Sequence, residues 1–400
     1  MIDHNKLLTI ALVIGFFATF LLFYQKPFYS DEPPHFSTVS SFCNFKASPP
    51  SDMPTIAGYH FFAGMFGYLT SCTESVIRLL NLLLGLGSVF VVYFLAKELD
   101  YNRKEKSLLT ALLPILFPFF FLIYTDVLSV LAVLLMVFFL YRKDYLLSGL
   151  FGLISFTVRQ NNIIWVIFCL LFVIMDKNLK LRIDRKIIKN IAPYIFVLLI
   201  ASLLFVEIGG FAVAGRERHP SFFLGPMNVY AILFFFLLIN LPEHILNFRK
   251  VFYRIKSASA GEICILAVLF LSLFILIFFT FSIDHEWNGE QFNYFLRNRI
   301  LNFFDSNLIL KAIFSLSAVY SIISISKIKL ADRRHYLIYP LTLLFLAPSW
   351  LIEIRYYIIP IVLINLFASR ERKTERILII WYLIFTLIFM FYLYQNLVFW

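Results

Sequence analysis

LLTIALVIGFFATFLLFY, Leu7 to Tyr24, holds eighteen residues without a single charge. At about 1.5 Å of rise per residue, a helix of that length nearly spans the roughly 30 Å of hydrocarbon in a bilayer. Runs of the same kind recur along the 400-residue chain, which is 61% hydrophobic, 19% aromatic and 15% charged. Soluble domains carry about 25% charged residues, so the composition is that of an integral membrane protein. The runs are continuously apolar rather than alternating, which selects helices over a closed barrel. The first run exceeds a usual leader core and no small-x-small cleavage element follows it, so it reads as a retained first helix.

The formal net charge is +11, but the cations sit in short clusters between apolar runs, with no basic groove lined by stacking aromatics. Nucleic acid is therefore not an expected partner. Cations favour the cytosolic side of short loops. The clusters Lys97–Lys106, Arg142–Lys143, Lys177–Lys189, Arg249–Lys256, Lys327–Arg334 and Arg370–Arg376 thread the chain with its N-terminus cytosolic. Crossing and returning between them requires about thirteen transmembrane helices. The expected architecture is all-α: one polytopic domain over residues 1–400, with non-cytosolic loops at about 25–55, 209–220 and 283–307. Tyr145–Met175 and His335–Phe367 then become hairpins of short helices, with VRQNN (Val158–Asn162) and EIR (Glu353–Arg355) at their tips. The glycine-dotted run Ile56–Thr70 reads as an interfacial or re-entrant helix.

This threading leaves Lys26, Lys46, Arg78, Arg159, Arg216, Arg218, Arg297, Arg299, Lys311 and Arg355 on the non-cytosolic side. Asp31, Glu32 and His35 join them from YSDEPPHF (Tyr29–Phe36). So do Asp126, Gln160, Glu217, His219, Asp284, His285, Glu286, Glu290 and Glu353. Ionisable groups at membrane depth are costly and mark function. Each also has a plain alternative: solvation for Asp31 and Glu32, helix capping for Asp126, mutual pairing for Glu353 and Arg355, and a loop role for His219 before Pro220. Cys43, Cys72, Cys169 and Cys264 lack metal-ligand spacing. No His-x-x-x-His or paired-Cys pattern indicates a metal, and no cofactor is expected. Cys43 and Cys72 share a side, where a disulfide and free thiols are both open readings.

Carboxylates and guanidinium groups gathered at one face suit group transfer from a lipid phosphate to a hydroxyl. A carboxylate takes the hydroxyl proton, and cations meet the departing phosphate. A transporter would place charges along mid-membrane helices; here the interior runs are nearly charge-free, with Glu207 the main exception.

Five elements carry a resemblance to a known family: Asp31-Glu32-x-x-His35 with Cys43 behind it; Tyr124-Thr125-Asp126; Val158-Arg159-Gln160-Asn161-Asn162-Ile163-Ile164-Trp165; Gly209-Gly210 with Gly215 and His219; and Glu353-Ile354-Arg355-Tyr356-Tyr357 with Pro360. Together they resemble the dolichyl-phosphate-glucose-dependent alpha-1,2-glucosyltransferases of the endoplasmic reticulum. The resemblance implies a GT-C glycosyltransferase-like fold in that membrane, with a lumenal active site. It implies a dolichyl phosphate glucose donor, a dolichol-linked oligosaccharide acceptor and inversion at the transferred sugar. It also implies Asp31 or Glu32 as general base, with His35, Asp126, Arg159, Gln160, His219, Glu353, Arg355 and Tyr356 contacting substrate. Three elements depart from the family pattern: Met53–Gly58, Gly215-Arg216, and Ile283–Tyr294. A transferase using another polyprenyl phosphosugar such as mannose is the first alternative, and a lipid or solute transporter the second.

Overall fold

Apolar runs punctuated by basic or proline-bearing turns give an all-α molecule in the computed structural model. It describes residues 4–46, 54–217, 219, 220, 223, 225–289 and 299–395, with side chains from residue 13 onward. The helices are α1 (His4–Phe23), α2 (Glu32–Cys43), α3 (Gly58–Leu69), α4 (Glu74–Glu98), α5 (Arg103–Ala111), α6 (Asp126–Tyr141), α7 (Tyr145–Val158), α8 (Ile163–Ile174) and α9 (Arg185–Ile208). They continue as α10 (Met227–Ile239), α11 (Leu241–Lys256), α12 (Ala260–Thr280), α13 (Arg299–Asp305), α14 (Leu308–Ile325), α15 (Ile338–Leu346), α16 (Ile358–Phe367) and α17 (Arg372–Tyr394). Among the described residues the only β pairing is two isolated bridges, Met175 with Leu181 and Leu330 with Ala368.

Helices α4, α9, α12, α14 and α17 are long and apolar enough to cross a membrane. A sixth candidate, α10 with α11, is bent by 94° where Asn240 precedes Leu241-Pro242; proline fits the first turn of α11 but cannot continue an incoming helix. Only 6% of the apolar window of α12 is buried, so its side chains are presented to lipid. Among the described residues, length and apolarity do not reach the expected figure of about thirteen crossings, because much of the apolar length is divided into short helices: Asp126–Tyr141, Tyr145–Val158, Gln160–Ile174 and Ile354–Phe367.

Both expected hairpins form. Helices α7 and α8 meet at a 3-10 turn, Gln160–Asn162, and a second such turn, Ile354–Tyr357, leads into α16. Helix α3 has only 12 residues, too few to span, and it packs closely on α7: a Cβ on Gly58 would lie 2.4 Å from the Thr157 carbonyl oxygen. Pro33 and Pro34 occupy the first turn of α2, where the missing N–H groups cost no helical hydrogen bond. Cys43 at the end of α2 and Cys72 before α4 form a disulfide, which closes the question between bridge and thiols and ties the α2–α3 unit to the start of α4. Gly209, at φ +73°, terminates α9 in the left-handed conformation.

Candidate active site

Four segments from distant parts of the chain meet at one end of the bundle: the α1–α2 connection, the residues before α6, the α7–α8 tip and the approach to α16. The first two are held together through Arg78, one turn into α4 and fully buried. Its Nε and Nη2 donate to Glu32 Oε1 and Oε2 at 3.1 and 2.8 Å, and its Nη1 donates to the carbonyls of Phe23 and Lys26, each at 2.8 Å. Glu32 also accepts from the backbone N–H groups of Tyr29 and Ile123, each at 2.8 Å. Both side chains are 0% exposed. An ion pair this deep is tolerated only when its lone pairs and protons are satisfied, and here four donors converge on one carboxylate.

Asp31, the neighbour of Glu32, is in the opposite situation. Its backbone N–H donates to the Tyr124 hydroxyl at 2.9 Å, and that hydroxyl donates to the Tyr29 carbonyl at 3.2 Å. The Asp31 carboxylate itself is 29% exposed and lies 3.5 Å from Arg355 Nη2. On its other side Arg355 pairs with Glu353. Arg159, at the α7–α8 tip, donates to Asp126 Oδ1 at 2.7 Å, and Asp126 Oδ2 is buried without a partner. The half-buried Tyr356 ring lies between the two guanidinium groups, 5.6 Å from that of Arg159 and 5.8 Å from that of Arg355.

Beneath Asp31, His35 Nδ1 is 2.8 Å from His60 Nε2, and the rings stack at 5.1 Å. Both lie outside the spanning helices. Burial, then the neighbouring His60, Arg355 and Arg159, holds His35 well below the usual imidazole range; burial lowers His60 to about 4. The two rings are therefore neutral at physiological pH.

Asp31, Glu32, His35, Asp126, Arg159, Glu353, Arg355 and Tyr356 thus form one cluster. Gln160 and His219 lie at its edge. Gln160 Nε2 donates to the carbonyls of Pro54 and Phe211 at 2.7 and 3.0 Å, stitching two loops to the α7–α8 tip. His219 packs on Trp287 at 5.5 Å. The loop carrying Trp287 is fixed by Asn288, whose side chain donates to the Ile352 carbonyl and accepts from its N–H at 2.9 and 3.1 Å. Arg216 is engaged with the carbonyls of Ile208 and Ala212 at the end of α9. Arg218, Glu290, Asn293, Tyr294 and Arg297 lie outside the described residues.

Arg78, His60, Tyr124 and Asn81 are structural partners to which the sequence reading gave no role of their own. Arg78 alone left a usable signal, a cation at the head of the apolar run of α4. Asn81 accepts from the Tyr59 hydroxyl at 3.2 Å and donates to the Leu122 carbonyl, holding the strand of residues that leads to Asp126.

Residues 25–185 match the model of the DIE2/ALG10 family. That segment contains Asp31, Glu32, Arg78, Asp126 and Arg159, while Glu353 and Arg355 fall beyond it. Three curated relatives carry the name Dol-P-Glc:Glc(2)Man(9)GlcNAc(2)-PP-Dol alpha-1,2-glucosyltransferase. The Arabidopsis thaliana protein is 24% identical over 84% of this chain and 85% of its own. A Homo sapiens protein is 25% identical over 74% and 71%, and the Candida albicans protein 26% identical over 76% and 72%. Among solved structures, ArnT from Cupriavidus metallidurans in the apo state covers 98% of this chain and 78% of its own at 10% identity and a TM-score of 0.43, a likeness too slight to bear on the fold. The chain is thus similar to the DIE2/ALG10 family over residues 25–185 and to these named glucosyltransferases along most of its length.

Proposed function

We propose that this protein is an inverting alpha-1,2-glucosyltransferase of GT-C type. It moves glucose from dolichyl phosphate glucose to the 2-hydroxyl of the terminal glucose on a diglucosylated, dolichol-linked oligosaccharide. The relatives' shared name supports the donor and acceptor, and the contrast between two adjacent carboxylates supports the chemistry. Glu32 is saturated by four donors and sealed from solvent, so it has no lone pair to offer a substrate. Asp31 keeps a carboxylate 29% exposed, with the Arg355 guanidinium 3.5 Å away, and it is the base in this reading.

In the transfer, Asp31 takes the proton of the acceptor 2-hydroxyl as its oxygen attacks the anomeric carbon. The bond from that carbon to the lipid phosphate breaks, and the phosphate leaves with the electron pair. Arg355 and Arg159 face the charge that develops there. The site sits on the lumenal side of the endoplasmic reticulum membrane; the Cys43–Cys72 disulfide at this end fits an oxidising compartment.

Transfer measured in membranes from cells expressing Asp31→Asn tests the assignment. A positioned base contributes about 10²- to 10⁴-fold, and the variant is expected to lose that much rate while the protein keeps its melting temperature. Transfer at the wild-type rate sinks the assignment of Asp31. Accumulation of an oligosaccharide that lacks more than the terminal glucose, in cells without the protein, would point to a different sugar donor.

A further inference from the structure

On the side away from the site, a cavity of about 830 Å³ opens between α7 and α9. The two helices touch where Gly149 faces Pro193; a Cβ on Gly149 would lie 2.4 Å from Pro193 Cβ. Around that contact the walls are apolar, with Leu146, Leu150, Leu153 and Phe196 among them, and the mouth carries Arg142, Lys143 and Lys189. These three cations belong to clusters that the positive-inside pattern places in the cytosolic headgroup region.

The anionic groups nearby do not neutralise this mouth. Asp144 is occupied as the N-cap of α7, accepting from the Leu147 N–H at 3.1 Å. Arg142 pairs with Glu98 at 3.0 Å, but the two side chains are 57% and 31% exposed, a setting in which ion pairs are weak. Lys143 and Lys189 are exposed, and among the described residues neither pairs with a carboxylate. A ligand fitting both halves has a phosphate at headgroup level and a long apolar chain below it, and basic pockets between transmembrane helices take such lipids.

We propose that the α7–α9 groove is a binding site for one anionic glycerophospholipid of the cytosolic leaflet. Its phosphate lies at Lys143, Lys189 and Arg142, and one acyl chain runs along Leu146, Leu150, Leu153 and Phe196. The occupant is a structural lipid, distinct in place and chemistry from the polyprenyl substrates, so the site stands whether or not the glucosyltransferase reading does.

The test uses the full-length protein, delipidated in detergent and titrated with phosphatidylinositol or with phosphatidylcholine, with bound lipids counted by native mass spectrometry. One phosphatidylinositol is expected to bind tightly and phosphatidylcholine to bind markedly more weakly. Each cation near an anionic headgroup contributes a factor of about five, so the Lys143→Ala/Lys189→Ala double variant should weaken the phosphatidylinositol site about 30-fold. Both positions are exposed, so folding is not at stake. Lys329→Ala, an exposed cation in another cytosolic cluster, is expected to leave the site unchanged. The proposal is overturned if the two lipids bind equally, if the double variant retains wild-type affinity, or if Lys329→Ala weakens binding as much as the double variant does.

Discussion

Each end of the bundle carries a cluster of buried charges, and the two are built differently. At the basic end, Lys106 pairs with Glu375 at 2.9 Å and donates to the carbonyls of Asn365 and Ala368 at 2.8 and 2.6 Å. Arg370 holds Glu243 through two bonds of 2.9 and 2.8 Å. The four side chains are 1–7% exposed. At the site, Asp31 stands 29% exposed with its cation 3.5 Å away. A closed network has every charge matched to a fixed partner and serves as a clamp among α5, α11, α16 and α17. An open one keeps charge at the surface, where a group that arrives later can meet it, as the proposed transfer requires.

Substitutions that cross the comparison would break it. Asp31→Asn should lower transfer by two to four orders of magnitude with little change in stability, whereas Glu243→Ala should do the reverse. Removing Glu243 strands Arg370 in the interior, a loss of about 3–5 kcal/mol, read as a fall in melting temperature while the folded fraction keeps its turnover. If Glu243→Ala leaves stability intact and reduces turnover, the basic end is not a clamp.

The remaining predictions sharpen it. Within the site, Glu32 and Arg78 form a closed pair like those at the basic end. Glu32→Gln is therefore expected to destabilise the fold, and Asp31→Asn not to. Cys43→Ser removes a crosslink across 29 residues, for which about 2–4 kcal/mol is expected. Equal melting temperatures for the wild type with and without reductant would contradict that. The last effect comes from pH. His35 and His60 are neutral when folded, and unfolding frees them to take up protons with ordinary affinity. The unfolded chain thus binds more protons below about pH 6.5, so stability falls as pH drops from there toward 4, by up to about 1.4 kcal/mol per pH unit for each ring. His35→Asn should flatten the dependence of melting temperature on pH over that range; an unchanged slope would exclude the pair as its source.

The two hairpin tips were legible because each interrupts an apolar run with closely spaced polar residues, Arg159–Asn162 and Glu353 with Arg355, and a chain in a bilayer has to bring such residues to an edge. The number of crossings was less legible. Length rules assume unbroken spans, while packing against neighbours stabilises short helices that carry apolar sequence without crossing alone, as α6, α7 and α8 do. Arg78 went unassigned because its partner lies 46 residues away, and nothing local to ESVIRLL signals which carboxylate it meets.

The sequence by itself determined the solvent of this protein and the expectation of its sidedness. Apolar run length and the placement of Lys and Arg are local quantities that partition between lipid and water residue by residue. The roles of its charges were decided only by tertiary structure. Asp31 and Glu32 are adjacent and chemically alike, and what separates them is that α4 and the segment before α6 close over one and leave the other at the surface.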